Sequence, residues 1–154
     1  MRGRLTLLIG TMLAGVAGCT DVLSPVDYFG EYALTRVGGN ALPAFVFDNG
    51  SVSAVVVADT IRIRSDGTGS RTGVWIYTNV GPQLAITAPN RVEGTSEFVY
   101  KVVKNRLEMT TVCGPLANCA PPPHVVAIRT PNGLSVTFEG IARVPQEYTA
   151  LGTR

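Results

Sequence analysis

From Phe29 onward, apolar and polar residues alternate with a period of two, and Gly, Pro, Asn and Asp interrupt the alternation at short intervals. That is the pattern of β-strands joined by tight turns. Gly30 to Val37 reads as a first strand, with Tyr32 and Leu34 on one face and Glu31, Ala33 and Thr35 on the other. Gly38-Gly39-Asn40 turns the chain into an apolar run from Leu42 to Phe47, which Asp48-Asn49-Gly50 ends. Val52 to Arg64 is long: Val55, Val57, Ile61 and Ile63 form an apolar face, while Thr60, Arg62 and Arg64 face water. Asp59 falls on the apolar side of that count. A lone carboxylate is costly to bury, so the pattern predicts a bulge or bend near Ala58-Asp59 in place of a buried charge.

Ser65-Asp66-Gly67-Thr68 is a strong hairpin signal, because Asp-Gly accepts the positive φ angles of a tight turn. The return strand runs through Thr72 to Thr78, carrying Val74, Trp75, Ile76 and Tyr77. A looser segment with Pro82 and Pro89 spans Asn79 to Asn90. Gly94 to Val103 is the next strand, with Phe98, Tyr100 and Val102 alternating with Glu97, Val99 and Lys101. After the two-residue turn Lys104-Asn105, Leu107, Met109 and Thr111 alternate with Arg106, Glu108 and Thr110. Val125 to Thr130 pairs with Leu134 to Glu139 across Pro131-Asn132-Gly133, and Gly140 to Arg154 has room for one more short strand. No stretch of a dozen residues carries a helical period with caps. The chain from residue 29 to 154 is therefore expected to be one antiparallel all-β domain of about eight strands. Consecutive hairpins favour an up-and-down order, and closure into a barrel removes the two vulnerable sheet edges. A β-sandwich is the alternative architecture. A membrane-spanning barrel is disfavoured by Arg62, Arg64, Glu97, Lys101 and Glu108 on outer strand faces.

The opening Gly30-Glu-Tyr-Ala-Leu-Thr-Arg-Val-Gly-Gly-Asn-Ala-Leu-Pro43, followed by a strand ending in Ser-Asp-Gly-Thr-Gly, resembles small lipocalin-like β-barrel lipoproteins of bacteria. The likeness spans residues 29 to about 77 and rests on turn and strand residues. It implies the barrel fold and carries over no functional residue.

The amino-terminal stretch has a different character. Arg2 and Arg4 precede the mostly apolar, uncharged run Leu5 to Val16, and Val16-Ala17-Gly18-Cys19 closes the segment. Basic end, short apolar span and small residues are the layout of a secretory signal, too short for an ordinary transmembrane helix. Val16-Ala17-Gly18-Cys19 resembles the lipobox of bacterial lipoproteins. The resemblance implies removal of residues 1–18 as a signal peptide, a lipid thioether on Cys19 and acylation (a palmitate, for example) of its freed amine. Residues 19–28 would then be a short lipidated tether holding the domain to a membrane. Thr20, where Asp would favour inner-membrane retention in the best-known Gram-negative sorting rule, implies the outer membrane, with the domain facing the periplasm.

Composition adds exclusions. The chain has 154 residues, enough for one core, and 16% charged residues argue against a disordered tail or coiled coil. Without residues 1–18 the side chains are eleven basic and eleven acidic, so no long-range field attracts nucleic acid. Of three cysteines, the lipid would consume Cys19. Cys113 and Cys119 bracket Gly-Pro-Leu-Ala-Asn, a turn-rich run that lets them form a disulfide in an oxidising compartment. Zinc is the rival use, but two thiols and the lone His124 fall short of a four-ligand set.

Catalytic signatures are missing from the sequence. There is one histidine, no Gly-x-Ser-x-Gly elbow and no His-Glu-x-x-His helix, and Gly67-Thr-Gly69-Ser-Arg-Thr-Gly73 has the wrong spacing for a phosphate loop. A non-enzymatic protein without cofactor or metal is expected. Trp75, Tyr77, Phe98, Tyr100 and Phe138 are the candidate lining of a pocket for a small apolar ligand, against the simpler reading that they only fill the core. The alternative function is an inhibitor or interaction module presenting the loop 113–124 to an envelope protein, since a disulfide and Pro121-Pro122-Pro123 would preorganise it.

Overall fold

A computed structural model describes residues 28–48, 50, 52–79, 89–112, 124–139 and 142–152. The signal segment, Cys19 and its tether, the turn-rich stretch 80–88 and the Cys113–Cys119 loop lie outside the described residues. Among the described residues ten strands form: β1 (Gly30–Val37), β2 (Asn40–Ala41), β3 (Ala44–Asp48), β4 (Val52–Ile63), β5 (Thr68–Asn79), β6 (Asn90–Val103), β7 (Arg106–Thr111), β8 (His124–Thr130), β9 (Gly133–Glu139) and β10 (Ala142–Leu151). They make one antiparallel sheet in the order β2-β1-β10-β9-β8-β7-β6-β5-β4-β3, and β1 pairs with β4 as well. That last pairing, Gly30–Ala33 against Thr60–Ile63, closes an up-and-down barrel of eight strands, β1 and β4 to β10. The short β2 and β3 extend β1 and β4 at one end.

Local turn chemistry sets the hairpins. In the β4–β5 turn Gly67 has φ 84°, a conformation that favours glycine. Asp66 Oδ1 accepts bonds from Thr68 N at 3.0 Å and Thr68 Oγ1 at 2.6 Å. Those bonds, the hydroxyl first, hold the Asp66 carboxyl below its ordinary range. The turns 64–67, 104–105 and 131–132 and the chain entry at Tyr28 share one end of the barrel; β2, β3, the ends of β5, β7 and β9 and the starts of β6, β8 and β10 belong to the other.

The turn end is filled. Tyr28 is fully enclosed and donates its hydroxyl to Asn105 O at 2.9 Å, while Tyr32 donates to Tyr28 O at 2.9 Å. Behind this plug Leu34, Ile61, Ile63, Phe98, Leu107, Met109, Leu134 and Tyr148 pack into one core cluster. Two glycines permit close approach: a side chain at the inward Gly69 would strike the Phe98 ring, and one at Gly133 would strike the backbone of Tyr148.

Three features depart from the pattern read along the chain. The run Leu42 to Phe47 is not one strand, because Pro43 lacks an N–H for the ladder and pairing resumes at Ala44. The carboxy-terminal strand is long, ten residues, and it pairs with both β9 and β1 to complete the barrel. In β4 the inward face changes parity: Ala54 and Val56 are buried before a bulge, Asp59, Ile61 and Ile63 after it. Val56 opposes Trp75 and Ala58 opposes Val74, so Val57 is the extra residue. Val55 and Val57 are therefore not the buried face. The bulge forms where expected, but it turns Asp59 into the barrel instead of out of it, to 3% exposure.

Candidate functional site

The inward residues of β5 descend from the loop end as Tyr77, Trp75, Gly73, Arg71 and Gly69, opposed on β4 by Ala54, Val56, Asp59, Ile61 and Ile63. Gly73 faces Asp59 and carries no side chain; a Cβ there would meet the Trp75 indole and lie 3.3 Å from Asp59 Oδ2. The space that glycine leaves holds a buried ion pair. Arg71 Nε donates to Asp59 Oδ2 at 2.7 Å, and Arg71 Nη2 contacts the same oxygen.

Around the pair stand partners from other strands. Gln146 of β10 accepts from Arg71 Nη2 at 3.3 Å and from the Tyr148 hydroxyl at 3.1 Å, both on Oε1. The guanidinium carbon lies 4.4 Å from the centre of the Phe138 ring and 5.2 Å from that of Trp75, cation–π distances that fix its plane between two strands. Burial is the main force raising the Asp59 carboxyl above its ordinary value, and Arg71 opposes it. Burial likewise pushes the Tyr148 phenol far up, so it stays neutral and donates. Desolvation works against the Arg71 charge, but the Asp59 carboxylate beside it outweighs that and the guanidinium stays protonated. Asp59 Oδ1 is buried and has no hydrogen-bond partner among the described residues.

Beyond this polar floor the barrel opens. A cavity of about 150 Å3 is lined by Val46, Phe47, Arg71, Trp75, Tyr77, Phe138 and Gln146. A smaller chamber of about 40 Å3, lined in part by Ile61, Phe98 and Met109, shares Arg71 and Phe138 with it. The strand that would wall this side, β6, is exposed on both faces from Asn90 to Glu97. Its inward positions there, Val92, Gly94 and Ser96, oppose Trp75, Gly73 and Arg71 and are small.

The aromatic residues singled out from sequence are thus distributed. Trp75, Tyr77 and Phe138 meet at the larger cavity; Phe98 is core and borders the smaller chamber. Tyr100 lies at the opposite end, its hydroxyl donating to Arg64 O at 2.5 Å beside the β4–β5 turn. Arg71, Gln146, Val46 and Phe47 were missed. Counting back by twos from Trp75 places Arg71 inward, a signal present in the sequence; Val46 and Phe47 line the cavity from β3, whose register with β4 shifts between Phe45 and Phe47. His124 sits on the outer wall, 3.1 Å from Glu139. Among the described residues no group of three His, Cys, Asp or Glu is placed to hold a metal.

Compared with known protein families, curated proteins and solved structures, the chain has no match. The cavity's own chemistry therefore carries the functional argument. Its described lining can seat a small apolar body against aromatic rings, with Arg71 and Gln146 as polar contacts at the floor.

Proposed function

We propose that this protein is a non-enzymatic lipoprotein of the bacterial envelope whose barrel binds a small apolar molecule at its open end. The observation that carries the ligand is the aromatic cavity of about 150 Å3 above a polar floor. A dry apolar cavity of about that volume accepts benzene, whereas drug-sized ligands occupy about 300–1,000 Å3. The fitting ligand is one ring or an equally compact branched group.

The anchor rests on Val16-Ala17-Gly18-Cys19 and the basic, apolar run before it. Eight residues lie between Cys19 and Tyr28, a span of at most about 30 Å. The chain enters the barrel at its filled end, so anchoring by Cys19 to the periplasmic face of the outer membrane turns the cavity away from the lipid. Cys113 and Cys119, in the segment that follows β7 in sequence, are proposed to form a disulfide.

Native mass spectrometry of the protein purified from its own host's envelope tests both parts. A lipidated amino terminus at Cys19 and a retained small molecule are expected. An uncut, unmodified terminus would refute the anchor; a barrel that neither retains a molecule nor takes up toluene would refute the ligand site.

A further inference from the structure

Resting on the reading of the open end as a ligand site, we infer that its ligand is a small acid: a compact apolar or aryl body whose carboxylate is taken by Arg71. The argument is what the cavity can touch. Arg71 and Asp59 are neutral as a pair, but the Arg71 side chain is 20% exposed and the Asp59 side chain 0%. Arg71 borders both chambers, whereas Asp59 borders neither. Seen from inside the cavity the pair is a cation, and its counter-charge lies behind it.

The guanidinium has donors left for a guest. Of its five N–H groups, the recorded bonds use Nε and Nη2, directed at Asp59 and Gln146. Nη1 carries two more; the Tyr148 phenol also meets the guanidinium, and its single oxygen takes up at most one donor. Stacking on Phe138 and Trp75 holds the group in one plane, which preorganises a donor for a planar carboxylate and lowers the entropy lost on binding. Among the described residues the rest of the wall is Val46, Phe47, Trp75, Tyr77 and Phe138 with the amide of Gln146, none of them charged. A charge-assisted bond in this enclosed setting outweighs a neutral one.

The test is a titration of the chain from Thr20 onward, which contains every strand of the closed barrel, with four guests built on one ring: benzoate, benzyl alcohol, toluene and benzylamine. Trp75 is the chain's one tryptophan and lines the cavity, so its emission reports occupancy directly. Benzoate is expected to bind about ten-fold tighter than benzyl alcohol or toluene, and benzylamine weakest. Asp59→Asn, which frees Arg71 of its counter-charge, is expected to tighten benzoate by about ten-fold again and leave toluene unchanged.

Toluene and benzyl alcohol binding as tightly as benzoate would overturn the acid while leaving the apolar site standing. Benzylamine as the tightest guest would overturn it by making Asp59 the recognised charge. No response to any of the four would overturn the site itself. Should Asp59→Asn fail to fold, by its circular dichroism, the wild-type series decides alone. A folded Asp59→Asn chain with unchanged or weaker benzoate binding would remove Arg71 as the receptor.

Discussion

The two ends of this barrel are built from the same strands and solve different problems. At the turn end, inward positions are large and apolar, and two tyrosines close the bottom: Tyr28, Tyr32, Leu107 and Leu134 are each 2% exposed or less. At the loop end β5 turns two rings and then a glycine inward, and the inward residues of β6 opposite are small. Trp75 and Tyr77 stand above Gly73, and on β6 Val92 lies across from Trp75, Gly94 across from Gly73 and Ser96 across from Arg71. The filled end supplies stability. The other gives some up to hold an ion pair and a cavity, and the bulge at Val57 is the switch between them, because it changes which residues of β4 face inward.

The largest effect expected from breaking this comparison is at the ion pair. Arg71→Met leaves Asp59 buried without its cation and should cost about 3–5 kcal/mol, read as a shift in the urea midpoint at constant slope. Combining it with Asp59→Asn should recover most of that loss; a double variant as unstable as the single would mean the charge is not the cause. Next come paired truncations at the two ends. Leu134→Ala in the filled end should cost about 2–5 kcal/mol. Phe47→Ala beside the cavity, half-buried to begin with, should cost about 1–2 kcal/mol. Equal losses would erase the distinction between the ends. Gly69→Ala forces a methyl against the Phe98 ring and the Arg62 carbonyl, for a cost of about 1–3 kcal/mol.

The smallest effect contrasts a carboxylate inside the wall with one outside it. Glu108 points outward, held by Lys101 at 3.1 Å and Arg106 at 2.9 Å, and those partners, Lys101 first, keep its carboxyl below the ordinary range. It contributes stability above its ordinary value that is lost as pH falls through the lowered one. Asp59, raised by burial, has the opposite sign: its contribution is present below the ordinary carboxylate value and lost as pH rises through the raised one. In urea midpoints across the acid range, Glu108→Gln should flatten the fall at low pH. Asp59→Asn should remove a decline that accompanies rising pH. The same slope in both variants would show that the two environments do not differ.

Much of the fold could be read along the chain because its turns are local. Asp66-Gly67, Lys104-Asn105 and Pro131-Asn132 fix hairpins from neighbouring residues alone, and a run of hairpins must close or leave edges. The inward face of β4 could not be read, since Val55-Val56-Val57 offers no alternation from which to take a parity. The count places Asp59 on the apolar side, but a buried carboxylate needs a cation beside it, and the sequence does not show Arg71 as that partner. The last strand was obscured for a related reason: Pro145, Gln146 and Glu147 interrupt its pattern, and only pairing with β1 and β9 makes it a strand. At the site, Trp75, Tyr77 and Phe138 announced themselves as aromatic residues in strands. Arg71 and Gln146 did not, because a charged or polar residue in a strand reads as outward-facing until a partner for it inside the barrel is known.

The account turns on the loop end being a place for a guest and the turn end being solid. Side-chain and amide NMR shifts of the chain from Thr20 onward, recorded against rising toluene, measure this directly. Saturable shifts gathered at Val46, Trp75, Tyr77 and Phe138, with Leu34, Leu107 and Leu134 unmoved, are the expected result. Shifts that never saturate, or that centre on the leucines, would contradict it.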